Sequence, residues 1–410
     1  MIKVNTDKVN ITKVLTRAVE NAYPNQKAFF TALSSGRRLT AYLGIDPTGR
    51  SLHLGHAIAM RKLRELQNMG HRIILLIGDF TAMIGDPTDK GAVRKKLTHE
   101  QVLENCKSYR EQASKILDMD GSVTGNPVEI KYNSEWLGAM SFADVLELSS
   151  NFTVQQMLER DMFVRRMKET PPKPIYIHEF MYPLMQAYDS VAMDVDIEIG
   201  GNDQTFNMLV GRNLLKSLKS KEKYVLTCKL LTDPTGKKMG KSEGNMITLD
   251  DKPEDMFGKI MSWTDGMIEL GFELCTDVSD KEIKNMVKKM ASGENPVQFK
   301  RLLARTIVEA WHDQASAIKA EEHFNNLFKK HSIPDKVPEL KIKASKKSIV
   351  DLLVDSNLAT SKTDARRQIN QGAVRLAGEV VKDEGAEVSI TSKGVILQKG
   401  KRSFVKIIKS

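Results

Sequence analysis

Apolar and polar positions alternate between two periods along the first 245 residues. Leu39-Thr-Ala-Tyr-Leu-Gly-Ile45 is a nearly unbroken apolar run that predicts a buried strand, and Asp46-Pro-Thr-Gly49 after it has the chemistry of a turn. From His53 to Met69 the period lengthens. Ala59, Leu63 and Leu66 fall on one helical face, and Gly70 supplies the stop. Arg72-Ile-Ile-Leu-Leu-Ile-Gly78 predicts the next strand, apolar on both faces as in a parallel sheet covered by helices. Val128–Lys131, Val195–Gly200 and Tyr224–Leu231 read as further strands separated by helical segments. Strand–helix alternation of this kind predicts an α/β domain over residues 1–245, with a Rossmann-like, doubly wound parallel sheet.

After Asn245 the strand signals fade. Lys281 to Lys329 is strongly helical in pattern, with Met286, Met290, Phe299, Leu302, Leu303, Ile307 and Trp311 spaced for packing, which predicts a small helical domain over 246–332. The prolines of Ile333-Pro-Asp-Lys-Val-Pro338 and the polar stretch beyond them predict a linker over 333–346. Residues 347–410 predict a compact α+β module, helical first, with strands at Gly394–Leu397 and Phe404–Ile408.

Composition narrows the class. With 41% apolar and 28% charged residues in a chain of 410, the protein is neither disordered nor a disulfide scaffold. Its three cysteines are far apart and form no Cys-x-x-Cys pair, so a reducing cytoplasm is the expected setting. The N-terminus lacks the apolar stretch of a signal peptide, and no run of apolar residues is long enough to span a membrane. The net charge of +10 is uneven. From Lys346 to Ser410 there are 13 Lys+Arg against 7 Asp+Glu, so six of the ten excess positive charges sit in the tail. A polyanion partner, nucleic acid or an acidic membrane surface, fits that concentration, and so does a solvated lysine-rich face.

Two motifs carry candidate chemistry. His53-Leu-Gly-His56 sits in the first turn of the predicted helix, where free N–H groups and the helix dipole face anions. A phosphate there would accept from both imidazoles, and Gly55 would let it approach the backbone. Zinc is disfavoured, since no third ligand follows at metal spacing. Far downstream stands Thr235-Gly-Lys-Lys-Met-Gly-Lys-Ser-Glu-Gly-Asn245. It fails as a P-loop because Thr235 occupies the first glycine position, yet Lys238 and Lys241 in a Gly-rich loop suit a clamp on a triphosphate. A solvated basic loop is the alternative for this segment alone.

Taken together, the two motifs resemble those of class I aminoacyl-tRNA synthetases: His53-Leu-Gly-His56 matches their HIGH motif, and Lys238-Met-Gly-Lys-Ser242 their KMSKS loop, with Gly240 in place of a serine. The likeness narrows to the tyrosyl-tRNA synthetases of bacterial type over Tyr42-Leu-Gly-Ile-Asp-Pro-Thr48, Tyr182-Pro-Leu-Met-Gln-Ala-Tyr-Asp189 and Gly200-Gly-Asn-Asp-Gln204. The segment Thr360–Arg375 resembles an S4-type RNA-binding module, which the related tryptophanyl enzymes lack.

That resemblance implies specific roles. Tyr42 and Asp189 would grip a tyrosine hydroxyl, Asp86, Tyr182 and Gln186 its ammonium, and Gln204 would lie near its carboxylate. Gly44, Asp46, Thr48, His53, Gly55 and His56 would line the nucleotide side, with Gly200 and Asp203 at the ribose. Lys238, Lys241, Ser242, Lys90 and Arg94 would meet the phosphates and departing pyrophosphate, while Lys362, Arg366, Arg367 and Arg375 would contact RNA. The implied reaction joins L-tyrosine to ATP as tyrosyl-adenylate and then to the 3′ end of tRNA(Tyr), with Mg2+ carried by ATP and no metal held by the protein. A homodimer through residues 120–190 is also implied. The rivals are the same chemistry on tryptophan, and an RNA-binding protein that keeps the fold without the activity.

Overall fold

The computed structural model describes residues 2–86, 97–236, 246–329, 337–400 and 403–410. The chain divides into two compact units, residues 1–318 and 319–410.

In the first unit, the apolar runs become the strands of one six-stranded sheet: β1 (Val19–Tyr23), β2 (Thr40–Ile45), β3 (Arg72–Ile77), β4 (Val128–Tyr132), β5 (Ile197–Gly201) and β6 (Tyr224–Cys228). Their order is β1-β6-β5-β2-β3-β4, parallel except for β1, which runs antiparallel to β6. β3 is buried from Ile73 to Ile77, as its unbroken apolar run requires of a strand covered on both faces. Sequence periodicity does not reveal β1, whose Glu20 and Asn21 are exposed and interrupt any apolar pattern.

Three helices build the site. Helix α1 (Leu54–Asn68) buries Ala57, Ile58, Met60, Leu63 and Leu66 against the sheet. Helices α2 (Ile177–Ala192) and α3 (Thr205–Lys219) pack together through Leu184, Ala187, Val191, Val210, Leu214 and Leu215. From β2 the chain proceeds outward to β3 and β4, then returns to lay β5 and β6 on the other side of β2. The order therefore reverses between β2 and β5. Their ladder covers only two pairs, Ala41–Ile197 and Tyr42–Glu198, beyond which a crevice opens at the carboxyl ends of both strands. Ligands of open α/β sheets bind at such a switch point.

The segment expected to be helical from 281 to 329 forms three helices, α4 (Asp280–Ala291), α5 (Pro296–Trp311) and α6 (Gln314–Lys329). Gly293, at φ +98°, and Pro296 at the start of α5 account for the first break. Leu303, Ile307 and Trp311 are buried as expected, but Leu302 stays 38% exposed, one position off the buried face.

In the second unit, strands β7 (Glu339–Ile342), β9 (Val374–Leu376), β10 (Glu379–Val380), β12 (Val395–Lys399) and β13 (Ser403–Lys409) form one sheet, and β8 (Lys346–Ser348) pairs with β11 (Glu387–Ser389). Helices α7 (Ile349–Asp355) and α8 (Lys362–Asn370) close a core of Leu352, Leu353, Ala365, Ile369, Leu397 and Ile407. The segment read as linker, 333–346, instead contains β7, which pairs in parallel with β13. Its Leu340 and Ile342 pack on this core while Glu339 and Lys341 face water, an alternation too short and too charged to stand out.

Candidate active site

A cavity of about 430 Å³ occupies the crevice between β2 and β5. Fourteen expected site residues line it: Tyr42, Gly44, Asp46, Thr48, His53, Gly55, His56, Asp86, Tyr182, Gln186, Asp189, Gly200, Asp203 and Gln204. Lys90, Arg94, Lys238, Lys241 and Ser242 lie outside the described residues. Leu231 and Met246, on either side of 237–245, also line the cavity. Residues 247–249 are tied to the start of α1, since Leu54 N donates to Ile247 O at 3.1 Å and Leu249 N to Leu52 O at 2.8 Å.

One end of the cavity is closed by α2. Tyr182, Gln186, Asp189 and Ser190 recur at helical spacing, so one face of the helix presents all four inward. Asp189 is 3% exposed and accepts from Trp136 Nε1 at 2.7 Å and Asn133 Nδ2 at 3.3 Å. Burial pushes its carboxyl well above the ordinary range, against the pull of those two donors. Tyr42 is 1% exposed, and its Oη lies 3.0 Å from Ser190 Oγ. Burial, with the charges of Glu198 and Asp189 nearby, holds its phenol well above its usual pKa. This end is buried and lined by hydrogen-bonding groups. It suits a ligand with an apolar ring and one polar tip.

Further along, the acidic groups form one network. Asp46 accepts from Tyr182 Oη at 2.8 Å and Thr81 Oγ1 at 2.7 Å, so the expected nucleotide-side carboxylate already touches the expected ammonium set. Gly78 permits this, because a Cβ there would meet Asp46 Oδ1 at 2.1 Å. Asp86 is clamped between Arg160 Nη2 at 2.8 Å and Gln204 Nε2 at 2.7 Å. Gln186 donates to Glu198 Oε1 at 3.1 Å and accepts from Asn207 Nδ2 at 2.9 Å. Several carboxylates converging on a cavity make it a cation-binding field, which an ammonium would satisfy.

The opposite wall is the start of α1. His53 N donates to His56 Nδ1 at 3.2 Å, and the two rings stack with centroids 3.8 Å apart. With Nδ1 accepting, the neutral imidazole of His56 carries its proton on Nε2. Gly55 is required here, since a Cβ would come within 2.9 Å of the His53 ring. Gly201 lets Asp203 fold back over the end of β5, where a Cβ would meet Asp203 Oδ1 at 2.5 Å. Among the described residues, no group of three or more His, Cys, Asp or Glu could hold a metal ion.

Arg160, Glu198, Lys223, Ser190, Thr81, Asn133 and Trp136 escape the sequence reading. Only Glu198 left a signal, a lone carboxylate inside the apolar strand Ile197-Glu-Ile199, which burial obliges to find a partner. That partner is Lys223, indistinguishable in sequence from the solvated lysines around it.

In the second unit, Lys362, Arg366 and Arg367 are more than half exposed. Lys362 pairs with Asp351 at 2.9 Å, Arg366 with Glu384 at 3.9 Å and Arg367 with Asp364 at 2.5 Å. Arg375 donates to Gly378 O at 3.0 Å.

The switch-point cavity, with its buried polar end and its paired histidines at a helix start, lies within residues 34–329, which match the family described as tRNA synthetases class I (W and Y) and make the chain an enzyme of that class. Residues 330–407 match the tyrosine–tRNA ligase SYY-like C-terminal domain. The chain belongs to the tyrosine–tRNA ligase family. It is 44% identical over 397 residues to the tyrosine–tRNA ligase of Thermotoga maritima, covering 96% of each chain. To that of Moorella thermoacetica it is 42% identical over 400 residues, covering 96% of this chain and 95% of the other. Its fold is shared with the tyrosyl-tRNA synthetase of Archaeoglobus fulgidus, a structure complexed with L-tyrosine, at TM-score 0.60 and 22% identity, covering 77% of this chain and 99% of that one. The same holds for a C-terminally truncated mitochondrial tyrosyl-tRNA synthetase of Aspergillus nidulans, at TM-score 0.64 and 20% identity, covering 78% and 94%.

Proposed function

We propose that this cavity activates L-tyrosine with ATP and passes it to the 3′ end of tRNA(Tyr), the particular roles being as follows. The observation that carries the reading is the pairing of Tyr42 and Asp189 at the buried end with His53 and His56 at the other. The tyrosine hydroxyl lies between Tyr42 and Asp189, the ammonium meets Asp86, Tyr182 and Gln186, and Gln204 stands near the carboxylate. That carboxylate, already ionised, attacks the α-phosphorus in line. The bond to the bridging oxygen breaks and pyrophosphate leaves, so no protein nucleophile is needed. Catalysis is then positioning plus stabilisation of charge on the phosphate oxygens. Thr48, His53 and His56 act on that charge. Lys238, Lys241, Lys90 and Arg94 hold the pyrophosphate, and Ser242, Gly44, Gly55, Gly200 and Asp203 serve the nucleotide. Magnesium arrives as part of the ATP substrate. In the second step a hydroxyl at the 3′ end of tRNA attacks the activated carbonyl carbon, and AMP leaves.

The division of labour follows the chain: 1–245 catalytic, 246–332 on the anticodon side, and 347–410 binding RNA through Lys362, Arg366, Arg367 and Arg375. A cytoplasmic setting suits a chain whose three cysteines are free and in which, among the described residues, no helix is long and apolar enough to cross a membrane. The chain acts as a homodimer. Phe142 at 77% exposed, Leu146 at 57% and Ile177 at 80% are apolar side chains within residues 120–190 that a second copy would cover.

The test is amino-acid-dependent exchange of pyrophosphate into ATP across all twenty amino acids. Tyrosine alone should support it strongly. Tyr42→Phe should weaken tyrosine use by about 1 kcal/mol, and Asp189→Asn, which removes a charged acceptor, by about 2 kcal/mol. Parent-like activation of tyrosine by both variants would remove the hydroxyl from this end of the cavity.

A further inference from the structure

Lys223 lies beneath the buried end of the cavity. Its side chain is fully buried, and the proposed catalytic roles do not use it. It precedes β6, pairs with Glu198 on β5, and donates from Nζ to Ser190 Oγ at 2.8 Å. Ser190 Oγ in turn lies 3.0 Å from Tyr42 Oη. Room for the ammonium is made by Gly211 on α3, where a Cβ would come within 2.7 Å of Lys223 Nζ. Burying an ion pair this completely is a poor way to gain stability, because desolvation offsets the attraction. Its position suggests another use.

We propose that Lys223, acting through Ser190, is a specificity-determining positioning residue that sets the direction of the Tyr42 hydroxyl toward a tyrosine substrate. This inference rests on the reading that Tyr42 and Asp189 hold the substrate hydroxyl. An ammonium has donors only, so the lone pair of Ser190 that faces Lys223 is occupied. The positive charge turns the Ser190 proton away from itself, toward Tyr42 Oη. With its oxygen accepting from Ser190, Tyr42 keeps its own proton for the acceptors on its other side, the Glu198 carboxylate and, once tyrosine is bound, the substrate oxygen. At the far end the Asp189 carboxylate is fixed by Trp136 and Asn133 and accepts the substrate's proton. A row of three hydroxyls, Ser190, Tyr42 and substrate, is thus strung between a group that only donates and one that accepts. Each hydroxyl polarises the next in one direction. Phenylalanine would return the Tyr42 proton to Glu198 alone and leave the remaining acceptor capacity of buried Asp189 unmet, which is more costly than losing one freely rotating hydroxyl. Glu198 balances the buried ammonium and, through Gln186, joins the row to the ammonium end of the cavity.

The decisive variant is Ser190→Ala, which cuts the row without altering Tyr42, Asp189 or Lys223. For the full-length chain, kcat/KM in pyrophosphate exchange is measured with tyrosine and with phenylalanine, alongside KM for ATP. Tyrosine's value should fall about three- to tenfold, the worth of one hydrogen bond, while phenylalanine's and the KM for ATP stay within about twofold. The double variant Glu198→Gln with Lys223→Met keeps the site neutral and should narrow discrimination by a similar factor. If that double variant does not fold, Ser190→Ala decides alone. A parent-like tyrosine/phenylalanine ratio in Ser190→Ala overturns the proposal, as does an equal fall for both amino acids. Tyr42→Phe in the same assay separates the two levels. If it too leaves the ratio unchanged, the placement of the substrate hydroxyl is wrong, and if it alone lowers the ratio, only the role of Lys223 is lost.

Discussion

His71 is an imidazole with no exposed surface, accepting from Leu39 N at Nδ1, 3.2 Å away. Burial, helped by Arg38 and opposed by Asp196, pushes its pKa down to about 4. In the unfolded chain the ring titrates near 6.5, so between those values the unfolded state binds the extra proton. Stability from this group is therefore complete above about pH 6.5 and is lost as pH falls toward 4, by a total of about 3 kcal/mol. Urea unfolding at pH 7 and pH 5 should show the parent losing stability, with a flatter response for His71→Gln. Equal slopes would place the acid sensitivity elsewhere. At this scale the candidate site was legible wherever a residue type has few uses. The histidines flanking Leu54-Gly55 stand out in this way, and each of the fourteen motif residues within described structure lines the cavity. Residues that act by supporting others were not legible. Arg160 clamps Asp86 from a charged helical segment that contains Arg165 and Arg166 as well, and one sequence cannot tell which arginine turns inward.

At the scale of elements, the helix Phe142–Ser150 presents Phe142 and Leu146, four residues apart, on one exposed face. Charging that face should separate the proposed homodimer. Leu146→Glu should sediment as a monomer where the parent sediments as a dimer, with unfolding midpoints that differ little, since the side chain is 57% exposed in the single chain. Monomeric parent protein at micromolar concentration would refute the assembly. The long apolar runs, β2 and β3 above all, were readable because a doubly covered parallel strand has no polar face to dilute its pattern. β1 and β7 were not, since edge strands carry charge on their open side, as Glu20 and Glu339 do.

At the scale of the whole molecule, the roles proposed for the basic tail and for the cavity belong to different steps. Removing residues 330–410 should leave pyrophosphate exchange with tyrosine near the parent rate while tRNA charging collapses. Affinity for tRNA in the full chain should fall steeply with salt, and the shortened chain should show a shallower slope because fewer phosphate contacts release counterions. Parent-like charging by the shortened chain would reduce the tail to a solvated face. The acidic neighbours of Lys362, Arg366 and Arg367 make the proposed contacts quantitatively testable, since RNA would have to displace those ion pairs before it gained one.

The antiparallel edge strand sets a timetable for the protein's own synthesis. β1 is made some two hundred residues before its partner, since Val19 pairs with Cys228, and among the described residues no strand nearer in sequence shares its ladder. At about 5–20 residues per second, the strand waits on the order of 10–40 s before its partner has even been made. Throughout that interval β2, β3 and β4 can assemble in order, whereas β1 must remain unpaired without recruiting another chain. Glu20 and Asn21, which weaken its signature as a strand, also give it a polar edge that discourages pairing with another chain during such a wait.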